Sequence, residues 1–138
     1  MSMSKIIASL TLACIALSAS AALAADETGE SLYARKCAAC HGLAGQGQPA
    51  PRPEVQPPIP PLAGSGYLQD EPDRTAALIL HGKAGMPAFH LFLSDEQISK
   101  ILTYARGAWG NEATPIPPET VAEARKGLGD DGFKMPSN

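Results

Sequence analysis

Cys37-Ala38-Ala39-Cys40-His41 gathers two thiols and one imidazole within a single turn of chain. Residues three and four apart share a helix face, so Cys37, Cys40 and His41 can address one side of a flat ligand together. That spacing fits covalent haem attachment, each thiol forming a thioether to a vinyl group and the imidazole binding iron. Without His41 the cysteines would read as a disulfide, a redox pair or a zinc pair. A zinc module would have three nearby ligands where four are usual, and no strand precedes the pair as a thioredoxin-like site requires. Haem attachment is the reading that uses all three side chains.

A haem iron held by one histidine has a second axial position, and its occupant decides between electron transfer and ligand chemistry. Met86 and Met135 are the thioether candidates in the chain beyond residue 25. Met86 sits in Gly85-Met86-Pro87, where glycine allows close backbone approach to a ring and proline fixes the loop direction. Met135 lies in a polar terminal stretch, so Met86 is the expected ligand. His81 and His90 are its rivals, although a histidine at a helix end or in a loop is ordinarily just solvated.

The elements that must carry these residues read as helices. Gly29 to Cys40 is free of proline and places Leu32, Tyr33, Lys36, Cys37 and Cys40 at helical spacing, with Gly42 to end it. Residues 43 to 72 contain Gly45, Gly47 and seven prolines between Pro49 and Pro61, a density that excludes a helix or a central strand. A stiff extended wrap over one face of the cofactor is expected there. Asp73 to His81 is a short helix stopped by Gly82. Ser94 and Gln97 form a capping box, with Leu93 able to staple against Ile98. Ile98, Ile101, Leu102, Ala105 and Trp109 then make an apolar stripe up to Gly110, bordered by Tyr104. A last helix runs from Pro118 to about Gly127, with Val121, Ala124 and Leu128 inward. Gly129 to Asn138 reads as loose. Tyr33, Tyr104 and Trp109 are read as core aromatics.

Lys5, the uncharged apolar run from Ile6 to Leu23 and the Ala22-Leu23-Ala24-Ala25 ending describe a secretory signal peptide. A retained membrane anchor is the competing reading of the same run. Cys14 lies within it and is assigned no role. The expected organisation is a signal peptide at 1–25, one domain at 26–111 and an extension at 112–138. From Asp26 onward, 10 Lys and Arg stand against 14 Asp and Glu, a net charge near −4. That acidity argues against nucleic acid and against an anionic membrane face as partners.

The chain resembles the class I c-type cytochromes of bacterial periplasms. The likeness rests on Gly29 and Tyr33 ahead of Cys37-Ala38-Ala39-Cys40-His41, on Pro60-Pro61-Leu62-Ala63-Gly64, on Gly85-Met86-Pro87 and on Ile101-Leu102-Thr103-Tyr104. It implies an all-α cytochrome c fold, three main helices plus a short C-terminal one around a single haem c. It implies a crossing of the first and last main helices, with Gly29 against Ile101 and Tyr104. It implies too that the Pro60 carbonyl takes a hydrogen bond from the far nitrogen of His41, fixing its tautomer. The Trp109-Gly110-Asn111 ending with its Pro-led helix looks like cytochrome subunits that accept electrons from periplasmic dehydrogenases.

The expected function is electron transfer in the periplasm, without catalysis. One haem c on Cys37 and Cys40, with His41 and Met86 on the iron, would pass single electrons. The expected partners are redox proteins, a periplasmic dehydrogenase as donor and a terminal oxidase or another cytochrome as acceptor. Stable membrane insertion is not expected after cleavage. Arg52 and Tyr67 could meet propionates, Phe89 and Lys83 could flank a haem edge, and none of the four is assigned. The alternative is a haem enzyme or gas sensor whose sixth position is open or whose Met86 is displaceable.

Overall fold

Each helix begins where the sequence supplies a cap or a proline. The computed structural model describes residues 27–50, 52–55, 57–69 and 71–128, so the expected signal peptide at 1–25 and the tail from Gly129 lie outside the described residues. Helix α1 (Gly29–Lys36) starts after Thr28, whose hydroxyl accepts from the Ser31 amide at 3.1 Å. A four-residue helix, α2 (Ala38–His41), follows it. Then come α3 (Gly66–Gln69), α4 (Pro72–His81), a 3₁₀ turn at Phe89–Leu91, α5 (Asp95–Gly107) and α6 (Pro118–Lys126). Among the described residues the only extended pairing is one antiparallel bridge between Gln48 and Ile59. The architecture is helical, as the periodicity requires.

The capping box forms as expected. Ser94 Oγ accepts from the Gln97 amide at 3.2 Å, and Gln97 Oε1 accepts from the Ser94 amide at 3.1 Å. Leu93 and Ile98 are both buried in the core that this start anchors. Gly82 ends α4 with φ +67°, a conformation glycine adopts without strain. Pro72 and Pro118 open α4 and α6 at positions whose N–H would be unsatisfied in any case.

Helices α1 and α5 make the largest contact of the fold, through Leu32 and Tyr33 on one and Ile98, Ile101, Leu102 and Ala105 on the other. The crossing is close because residue 29 has no side chain. A Cβ there would run into the Lys100 carbonyl and lie 2.9 Å from Tyr104 Cβ. Helix α6 packs on α4 and α5 and buries Val121 completely. Buried Arg106 joins α5 to its neighbours, donating to the carbonyls of Leu68 at 2.5 Å and Thr114 at 2.6 Å.

Three elements differ from the sequence reading. The expected helix over Gly29–Cys40 breaks at Cys37, whose backbone opens to φ −120° and ψ −35°. The cause lies in Tyr33, whose hydroxyl donates to the Gly42 carbonyl at 2.7 Å. Nine residues of straight helix would separate them by about 13 Å, beyond the reach of a tyrosine, so the chain has to fold back. Helix α5 stops at Gly107, short of Gly110. Trp109 takes φ +54°, so it leaves the helical stripe while still packing on Tyr33 and Tyr104. Within 43–72, the proline-free interval after Pro61 forms α3 and buries Leu68.

Candidate haem site

The Cys-x-x-Cys-His residues occupy one turn. The amides of Cys40 and His41 both donate to the Cys37 carbonyl, at 3.1 and 2.9 Å, so both cysteines and the histidine share a rigid loop of backbone. Neither cysteine is in a disulfide. Cys37 is half-buried and Cys40 exposed. Burial, and next the neighbouring Cys40, pushes the Cys37 thiol up to about 11. A thiol held protonated is a poor redox nucleophile, and a neutral thioether suits a half-buried position. Two cysteines and an imidazole on one hydrogen-bonded turn fit thioether attachment of haem.

His41 is oriented by the loop after it. Its Nδ1 lies 3.2 Å from the Pro60 carbonyl. A carbonyl only accepts, so Nδ1 carries the proton and Nε2 is left with its lone pair for a metal. Several bonds hold Pro60 in place. Gln48 and Ile59 exchange backbone bonds of 3.0 and 2.9 Å, and the Gly47 amide donates to the His41 carbonyl at 2.8 Å. Gln48 Nε2 also donates to the Ala39 carbonyl at 2.8 Å. The proline-dense segment is thus stapled at both ends to the turn it serves.

Met86 lies on a separate loop between α4 and the 3₁₀ turn, half-buried, its amide donating to the Lys83 carbonyl at 3.0 Å. Ala84 and Gly85 take φ of +50° and +96°, and a Cβ at Gly82 would strike the Met86 carbonyl. The loop is consequently tight at its base. His90, one rival ligand, turns its Nδ1 onto the Leu80 carbonyl at 2.8 Å and closes this loop. His81, the other, is held below the usual imidazole range by burial and then by His90. Arg125 locks the far side of the loop. Its guanidinium donates to the carbonyls of His90 and Leu93, both at 2.8 Å, and to Asp95 Oδ1 at 2.6 Å.

Large apolar side chains stand exposed beside both candidate ligands in the chain. Leu43, two residues past His41, is 72% exposed, and Leu91 and Phe92 past Met86 are 69% and 67% exposed. A flat apolar ring is the kind of group such side chains can cover. Arg52 is exposed and Tyr67 is 51% exposed. Sequence reasoning missed Arg125 and also Asn111, whose side-chain amide binds the Leu62 carbonyl and the Gly64 amide, because both act on backbone groups far along the chain.

The chain matches the family model described as Cytochrome C oxidase, cbb3-type, subunit III, over residues 24–104. It is 34% identical over 115 residues to the gluconate 2-dehydrogenase cytochrome c subunit of Pantoea cypripedii, covering 73% of this chain and 24% of that protein. It is 31% identical over 112 residues to the cytochrome c subunit of the quinone alcohol dehydrogenase of Gluconacetobacter polyoxogenes, covering 72% and 22%. It is 36% identical over 91 residues to the cbb3-type cytochrome c oxidase subunit CcoP of Azospirillum brasilense, covering 64% and 30%. The chain spans about a quarter of the length of these relatives. With more than half of its residues matched by the family model, the chain belongs to that family, a c-type cytochrome with the all-α cytochrome c fold and covalently bound haem c.

Proposed function

We propose that this chain is a periplasmic electron carrier in which Cys37 and Cys40 tether haem c and His41 and Met86 are its axial ligands. Bound haem supplies a one-electron couple, which requires neither a substrate pocket nor a proton donor. The chain's own part is to hold and tune that group. The hydrogen bond from His41 Nδ1 to the Pro60 carbonyl carries the reading, since it commits the imidazole to the tautomer a metal ligand needs. The tight Gly82–Met86 loop, closed by His90 and clamped by Arg125, supports Met86 as a ligand that stays in place. A soft thioether favours the reduced form, and a fixed ligand set limits rearrangement when an electron moves.

Residues 1–25 would act as the export signal, 26–111 as the haem domain and 112–138 as an extension, whose helix α6 braces that domain. Among the described residues no helix is long and apolar enough to cross a membrane. Relatives named as subunits of gluconate and alcohol dehydrogenases and of an oxidase support a dehydrogenase as donor and an oxidase or second cytochrome as acceptor. Such encounters are small, brief and salt-sensitive.

Substitution of Met86 by alanine tests the ligand set. Met86→Ala should retain haem through denaturation, lower the reduction potential and let external imidazole bind readily. A variant with the wild-type spectrum and potential would remove Met86 from the iron.

A further inference from the structure

Asn111 lies just past α5, 3% exposed, and spends its whole side-chain amide on backbone groups. Its Nδ2 donates to the Ala105 carbonyl at 2.8 Å and to the Leu62 carbonyl at 3.0 Å. Its Oδ1 accepts from the Gly64 amide at 2.8 Å. Two donors and one acceptor of this size are found together only in asparagine. Aspartate lacks the donors, leucine lacks all three groups, and glutamine adds a methylene that the buried site would have to absorb.

The segment it grips carries Pro60, two residues before Leu62. Pro60 and Pro61 have no N–H, so this stretch cannot anchor itself through its own donors. The next donors along the chain are Leu62 and Ala63, which both go to the Gly45 carbonyl at 2.7 and 3.0 Å, and Gly64, which goes to Asn111. The Pro60 carbonyl is therefore suspended between two fixtures. One is the loop that returns to His41, and the other is Asn111 at the end of α5.

We propose that Asn111 is a positioning residue for His41, holding the Pro60 carbonyl in register with the His41 ring N–H and so setting that imidazole's donor strength. This rests on the reading of His41 as an iron ligand. Without Asn111 the Leu62–Gly64 turn relaxes away from α5, the bond from Nδ1–H to Pro60 lengthens, and the imidazole becomes a weaker donor. A weaker donor stabilises the oxidised site less, so the potential rises.

The test uses the mature haem-loaded protein in its reduced state, with NMR following exchange of the His41 ring N–H. Asn111→Ala should accelerate that exchange at least tenfold and raise the potential. Ser99→Ala is the comparator, because Ser99 is also buried on α5 and its hydroxyl donates to the Ile116 carbonyl at 2.7 Å, away from the Pro60 segment. It should leave His41 exchange within twofold of wild type. Unchanged exchange in Asn111→Ala, or equal acceleration in Ser99→Ala, overturns the proposal. Should the alanine variant fail to accumulate haem, Asn111→Asp, which keeps the acceptor for Gly64 and loses both amide donors, carries the same expectation for exchange, and the potential is not its readout because a buried carboxylate lowers it. Wild-type His41 ring protons without the strong shifts of a haem-bound imidazole would bring down the ligand assignment itself. Shifted ring protons with unchanged exchange in the variants would remove only the role of Asn111.

Discussion

Tyr33 shows how one side chain can serve both packing and the attachment turn. Its ring stands 4.9 Å from Trp109 and 5.6 Å from Tyr104, and its hydroxyl holds the Gly42 carbonyl one residue beyond His41. Removing only the hydroxyl isolates that second task. Tyr33→Phe should keep the aromatic packing and lower stability by about 1 kcal/mol, read from denaturant titration, because the buried Gly42 carbonyl loses its shorter bond and keeps only the Gly45 amide at 3.2 Å. Burial first, then Cys37 and Tyr104, pushes the Tyr33 phenol up to about 12. The folded state thus keeps its proton where the unfolded chain loses it. Stability from this group is complete below pH 10 and declines as pH rises from 10 towards 12. Tyr33→Phe should flatten that alkaline decline. An unchanged decline would place its origin in another group.

At the scale of elements, the α1–α5 crossing depends on one missing side chain. Alanine normally improves a helix over glycine by up to about 1 kcal/mol. At residue 29 the new methyl meets the Lys100 carbonyl and Tyr104, so Gly29→Ala should instead destabilise by about 3 kcal/mol. Gly107, at the end of α5, has open space around it, so Gly107→Ala should be neutral or slightly stabilising. Thermal unfolding of the two variants should show opposite signs, and equal effects would contradict the crossing. Helix α6 makes a second test. Arg125 reaches three acceptors in different directions, a geometry its planar fork provides and an ammonium does not. Arg125→Ala should lose about 2–3 kcal/mol, and Arg125→Lys should recover little of it. Full recovery by lysine would reduce the clamp to simple charge. These long-range contacts mark the limit of what the sequence could reveal. The attachment motif, the Ser94–Gln97 box, the Gly82 stop and the Pro118 start are written in residues three or four apart, and all of the three structural ones formed. The bend at Cys37 and the grip of Asn111 on Leu62 arise from partners 9 and 49 residues apart, and Trp109 packs on Tyr33 far back in the chain, none of which local periodicity encodes. Gly85 and Pro87 mark Met86 in the sequence, whereas its loop is also held by Arg125, 39 positions further on.

For the molecule as a whole, the small size of the helical core matters most. A domain of this size builds only a modest apolar core, and a large apolar cofactor enlarges it. The helical shell places the attachment turn at one end of α1, its supporting loop across the Gln48–Ile59 bridge, and the Met86 loop under the brace of α6. Three separate stretches of chain thus converge on holding the two proposed ligands, and no acid and base pair for substrate chemistry is needed among them. Electron exchange asks for little else, provided that both axial positions stay filled. The absorption spectrum of the mature protein, taken oxidised and reduced and then under carbon monoxide, tests this most directly. A low-spin spectrum in both states, a weak far-red band from sulfur bound to ferric iron, and no response of the reduced form to carbon monoxide are expected. A high-spin spectrum, or ready binding of the gas, would contradict an electron carrier and favour a sensor or an enzyme with an open iron.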